Sequence, residues 1–230
     1  GNLVGGSYVS TDDITFNNTA LIASASFDGS NHVILGASGK IELVNVKAND
    51  NAILEAAGID SSTIVAGNGY ASLTATDSDI ANTSVLAATD AIITLDGGDL
   101  DNVTVTADGI SITGLVNINE GSFVARVDDL TVDASGNIMG AGFTAVTGSV
   151  ALDAAKIDGS TVNAATNASL TAVDVIAGTS VNAAGNVKIA ADTTSNTDVY
   201  AGGTIDTEGN LLASSLVAGG NISISDASFV

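Results

Sequence analysis

Cysteine and proline are both missing from this 230-residue chain. Without cysteine there is no disulfide framework and no thiolate metal centre. Proline cannot donate the N–H that a strand paired on both sides must supply. An average composition of about 5% would give roughly a dozen prolines, so their absence predicts that most of the backbone is laddered. Aromatics are scarce, at 3%, and a core drawn from Ala, Val, Ile and Leu has to be thin and regular. Positive charge is scarce too: 5 Lys+Arg stand against 26 Asp+Glu, a formal charge of −21. Such a chain repels a phosphate backbone and an anionic bilayer surface, so no nucleic acid and no membrane insertion are expected. No apolar run approaches the ~18 residues of a membrane-spanning helix, despite a mean hydropathy of +0.41. The opening Gly1-Asn2-Leu3 has no signal-like block and reads as a mature product or a fragment.

What the chain does contain is a repeat. Ser-Thr-Val-Asn-Ala-Ala-Thr-Asn at 160–167 returns as Thr-Ser-Val-Asn-Ala-Ala-Gly-Asn at 179–186. The same interval governs the whole sequence. The residues that open each alternating run are Ile14, Val33, Ala52, Ala71, Ala91, Ile110, Leu130, Val150, Ala168, Val187, Ile205 and Ile222, spaced 17–20 apart. Two residues on, eleven of twelve are large and apolar, from Phe16, Leu35 and Leu54 to Leu170, Ile189 and Ile224. Two further on, Ala and Gly dominate. Alternation at period two is a strand with one buried face.

A second rank follows in each unit: Val46-Lys47-Ala48, Ile64-Val65-Ala66, Val85-Leu86-Ala87, and onward to Val181-Asn182-Ala183, Val199-Tyr200-Ala201 and Leu216-Val217-Ala218. Between the ranks stands a single apolar residue such as Ile41, Ile59, Ile80, Ile138 or Ile157, expected to form a third wall. Gly, Asn, Asp, Ser and Thr fill the joints, as turn chemistry requires. A unit this short cannot bury its own apolar face, so each strand must pair in parallel with its equivalent one unit away. The pattern predicts an all-β, single-stranded parallel β-helix of about 12 coils of 17–20 residues spanning 1–230. With rungs ~4.8 Å apart it would be a rod of roughly 55 Å, right-handed because β-crossover-β units nearly always are.

A unit of about nineteen residues with Ala/Val/Ile ladders, Gly-Asn turns and no cysteine resembles the β-helical shaft of filamentous-haemagglutinin-type exoproteins. Those are long bacterial adhesins exported by two-partner secretion; autotransporter passengers are similar. The family's secretion domain carries Asn-Pro motifs, and this chain has no Pro to match them. The resemblance implies a secreted or cell-surface structural and adhesive rod, with host or neighbouring-cell glycans or proteins as partners. An alternative is a self-assembling extracellular filament. Residues 1–14 align without a gap on 209–222, so the sequence reads as starting and ending in mid-coil without caps. End-to-end contact is then expected at Leu3, Tyr8, Ile222, Ile224 and Phe229.

A third reading, a polysaccharide-active β-helix enzyme, would need carboxylates on adjacent rungs. Asp133 and Asp153 fall at equivalent outward positions, and rung spacing approaches the ~5–5.5 Å of retaining glycosidases. No interval leaves room for cleft-forming loops, so no catalytic residue is assigned and the chain is read as a non-enzyme. His32, alone in a turn, is read as an exposed turn residue. No cofactor is expected beyond weak calcium binding at Asp12-Asp13 or Asp128-Asp129. The middle residues of the second rank should face solvent, yet they include Val65, Leu86, Val124 and Val217. These are the candidates for lateral contact with another rod or a ligand.

Overall fold

The computed structural model describes residues 1–225; the expected contact residue Phe229 lies outside them. Among the described residues there is no helix, and every strand pairing is parallel, in a β-solenoid of about twelve turns. The chain divides into two compact units, Gly1–Leu115 and Val116–Val230.

In Gly1–Leu115 three strands per coil build three walls. The first wall stacks Val33–Ala37 on Ala52–Ala56, Ala71–Ala75 and Asp90–Leu95, with Leu35, Leu54, Leu73 and Ile93 in register. The second stacks Asn45–Ala48 on Thr63–Ala66 and Ser84–Ala87. The third is short, and carries the column Ile22, Ile41, Ile59, Ile80 and Leu100. Every one of these third-wall side chains is fully buried. At roughly 1.5–3 kcal/mol per buried aliphatic side chain, such columns are the main cohesive term between coils. One aromatic cluster interrupts the aliphatic pattern: Tyr8, Phe16 and Phe27 have ring centroids 5.1–5.6 Å apart.

In Val116–Val230 the same second wall recurs, from Ser122–Ala125 through Thr161–Ala164 and Ser180–Ala183 to Asp198–Ala201 and Ser215–Ala218. Phe123 and Phe143, register partners, stack at 5.3 Å. Here the first and third walls merge into long strands such as Val150–Asp158, Ala168–Ala177 and Val187–Ser195. Register shifts at Ala154/Lys156, Thr171/Val175 and Ala190/Thr193 mark the corner. An extra residue at a bulge bends the strand without ending it, which keeps the ladder intact round the turn.

Polar side chains hold the corners, each by a different device. Between the third and second walls each coil has a left-handed residue, followed by a second one at Gly6 and Gly121. In the first unit these are Gly5, Ser24, Leu43, Ser61, Asn82 and Asn102; in the second, Glu120, Gly140, Gly159, Gly178, Asn196 and Ala213. The N–H of ten of the twelve, all but Asn102 and Ala213, donates one coil along, as in Leu43 to the Asp60 carbonyl at 3.1 Å and Gly159 to the Ala177 carbonyl at 2.9 Å. The next residue is buried in nine of the twelve coils, the exceptions being Gly6, Gly121 and Ser214, and where it is Ser or Thr its hydroxyl donates two residues back. Ser62 reaches the Asp60 carbonyl at 2.7 Å, Thr83 the Ala81 carbonyl at 2.7 Å and Thr179 the Ala177 carbonyl at 3.0 Å. A buried hydroxyl without a partner would be costly, and this bond removes the cost.

Ahead of the first wall, side chains accept from the backbone of the next coil. Asn51 Oδ1 accepts from Tyr70 N at 3.0 Å; Asn167 Oδ1 accepts from Asn186 N, and Asn186 Oδ1 from Thr204 N, both at 2.8 Å. His32 belongs to this ladder: its N–H donates to Asp13 at 3.1 Å and its Nδ1 accepts from Asn51 N at 3.4 Å. It is half-buried rather than simply exposed, because its neighbours on both sides use it as a rung.

Candidate functional site

The columns and corners above consume the inward and corner side chains. What remains are the outward rows of the walls. Inward residues recur at alternate positions, so each second-wall strand offers two outward side chains about 6.6 Å apart, repeated every 4.7–4.9 Å from strand to strand.

In the first unit, one outward row of this wall contains Asp28, Lys47, Val65 and Leu86 in register. Lys47 Nζ lies 3.2 Å from Asp28; an exposed pair of this kind is worth about 0–1 kcal/mol. Val65 is half-buried, while Leu86 is 44% exposed. The two expected lateral-contact residues of this unit are therefore direct neighbours. The first wall adds an aliphatic row that the sequence reading passed over, Ile34 and Ile53 in register, followed two coils on by the exposed Ile92.

In the second unit, the equivalent row runs Val124, Thr144, Asn163, Asn182, Tyr200 and Val217. Val124 and Val217, the other two expected contact residues, do not meet; polar residues and Tyr200 stand between them. The companion row contains Thr161, Ser180, Asp198 and Ser215. Together the rows form a grid of six side chains, Tyr200 and the five around it: Ser180 and Asn182, Asp198 and Tyr200, Ser215 and Val217. They line an open groove of about 310 Å³. Tyr200 is 54% exposed, and it is the one exposed aromatic side chain among the described residues. Its signal in the sequence was the central position of Val199-Tyr200-Ala201. The flanking row gave none, since Ser and Asp there are indistinguishable from turn residues.

The remaining sequence candidates fall as follows. Asp133 and Asp153 are register partners and both are exposed. Asp13 and Asp129 each accept a backbone N–H of the next coil, from His32 at 3.1 Å and from Ser149 at 2.7 Å. Asp12 accepts from the Asn31 amide at 2.8 Å. Among the described residues no three His, Cys, Asp or Glu side chains are gathered as metal ligands. Of the expected end-contact residues, Leu3 is half-buried, and Tyr8 is engaged with Phe16 and Phe27. Ile222 and Ile224 pair with Ile205 and Thr207 and are 45% and 48% exposed. A larger groove of about 550 Å³ lies at the bulged corner, with Thr171, Asp192, Glu208 and Asn210 on its rim.

Comparison with known protein families, with curated proteins and with solved structures finds no match for this chain.

Proposed function

We propose that this chain is a structural and adhesive segment of a bacterial surface or secreted protein, a β-solenoid whose outward rows present binding groups. The observation that carries the reading is a division of labour within each coil. Inward columns and corner ladders hold neighbouring coils together, whereas the outward rows of the second wall, apart from the Lys47–Asp28 pair, take little part in holding them. A scaffold of this kind tolerates variation on its outer rows without loss of fold, because stability in a solenoid lies in the interfaces between adjacent coils. The resemblance to haemagglutinin-type shafts points the same way, and the net charge of −21 keeps such a surface soluble and apart from like-charged neighbours.

The test is localisation followed by adhesion. Antibody raised against the purified chain should label intact, unpermeabilised cells of the source bacterium or bind the protein in its culture medium. Deleting the gene should reduce attachment of those cells to surfaces or to one another. Labelling that appears only after lysis would contradict the reading.

A further inference from the structure

We infer that the grid around Tyr200 is a binding subsite for a neutral glycan. This deepens the adhesive reading and rests on it for the ligand's being outside the cell; the local geometry stands by itself. An aromatic ring lies open on the sheet face, flanked one strand away by the Asn182 amide and by the apolar Val217. Beside it along the strand stands the Asp198 carboxylate, with Ser180 and Ser215 on either side. A pyranose offers the complementary surface: an apolar C–H face for the ring and Val217, and a rim of hydroxyls that both donate and accept. Asp198 accepts, Asn182 does both, and the serine hydroxyls turn to suit. Tyr supplies contact area at low entropic cost, having two χ angles. The groove is at the lower end of the ~300–1,000 Å³ of small-molecule clefts, which suits one or two sugar units of a longer chain.

Other ligand classes fit less well. An anionic sugar would meet Asp198 with no Lys or Arg among the lining residues, on a chain of charge −21. A peptide that adds a strand needs an open edge, and Ser180–Ala183 and Asp198–Ala201 are each paired on both sides. A cation held over the ring would draw on Tyr200 and Asp198 but leave Asn182 and the serines idle.

The experiment titrates the purified chain with cellohexaose, mannohexaose and N-acetylchitohexaose, with trigalacturonate and tetramethylammonium as controls. The readout in the unchanged chain and both variants is the backbone-amide NMR signals of the flanking residues 180–182 and 215–217, with the Tyr200 ring protons, assigned by difference from Tyr200→Phe, as a further reporter in the unchanged chain. At least one neutral hexasaccharide should shift them with a Kd of about 1 mM or tighter. Tyr200→Phe keeps the ring and should bind within about threefold, whereas Tyr200→Ala should weaken binding at least about tenfold. Both variants should melt as the unchanged chain does, since the side chain points outward. The inference is overturned if no neutral hexasaccharide shifts the signals at about 10 mM, if a control shifts them instead, or if Tyr200→Ala binds as well. The two proposals separate cleanly. Gene-dependent cell adhesion with no neutral-sugar binding at Tyr200 would leave the adhesive reading standing and remove this site. Tyr200-dependent sugar binding by a protein found only inside cells would do the reverse.

Discussion

The left-handed corner offers a perturbation whose magnitude follows from backbone geometry alone. Gly159 has φ 59°, and a Cβ built on it would meet nothing within 4 Å. Gly159→Ala therefore adds no clash and removes no contact; it places an L-residue in the left-handed region. That costs about 1–2 kcal/mol. Replacing glycine also removes freedom from the unfolded chain, which returns about 0.4–1 kcal/mol. The net expectation is a destabilisation of about 1 kcal/mol. Leu43 occupies the equivalent place in another coil, at φ 54° with 60% of its surface exposed. Leu43→Gly reverses the argument and should stabilise. Urea unfolding followed by circular dichroism reads both: with a slope of about 2–3 kcal/mol per molar, Gly159→Ala should lower the midpoint by roughly 0.3–0.5 M. The N–H of residue 159 bonds the Ala177 carbonyl at 2.9 Å, and its protection from hydrogen exchange should fall with it. A midpoint that rises in Gly159→Ala, or falls in Leu43→Gly, would refute the assignment of this corner.

Two further substitutions probe the other devices. Leu152 is 2% exposed on the first wall, between Val132 and Leu170. Leu152→Asp loses a buried side chain worth about 2–5 kcal/mol and adds an unpaired buried carboxylate. The coils around it should become protease-sensitive; an unchanged thermal melt would contradict the wall. Asn167→Ala leaves the Asn186 N–H without its 2.8 Å acceptor, for a loss of about 0.5–1.5 kcal/mol. Asn167→Asp keeps an acceptor and should retain more of the stability, and equal losses in the two variants would contradict the ladder.

The walls were legible in the sequence because burial imposes a period of two within a strand and stacking imposes the repeat between strands. Leu35, Leu54 and Leu73 recur because each packs on the next. The left-handed corner was not legible. Seven of its twelve occupants are Gly or Asn, but the others include Ser24, Leu43, Glu120 and Ala213, so residue preference alone does not mark it and the ladder on either side also sets the conformation. His32 was misread for a related reason: its rung role depends on Asp13 and Asn51 in neighbouring coils, which no local pattern announces. On the outer face, the row of middle residues was foreseeable, and its aliphatic members Val65, Leu86, Val124 and Val217 stood out. Tyr200 acquires meaning only when strand register sets Asn182, Asp198 and Ser215 around it.

Register is the claim on which the columns, the corners and the grid all depend, and the absence of native cysteine makes it directly measurable. Asn163 and Asn182 are exposed register partners on the second wall. Parallel neighbours lie about 4.7–4.9 Å apart, inside the ~4.4–6.8 Å Cα range that a disulfide spans. Thr144 and Asn182 share the row but are separated by an intervening strand, about twice that distance. Under mild oxidation the double variant Asn163→Cys/Asn182→Cys should close an intramolecular disulfide, seen by mass spectrometry as the loss of two hydrogens, and Thr144→Cys/Asn182→Cys should stay reduced. A second pair that closes as readily as the first, or a first pair that remains reduced in folded protein, would contradict the stacking.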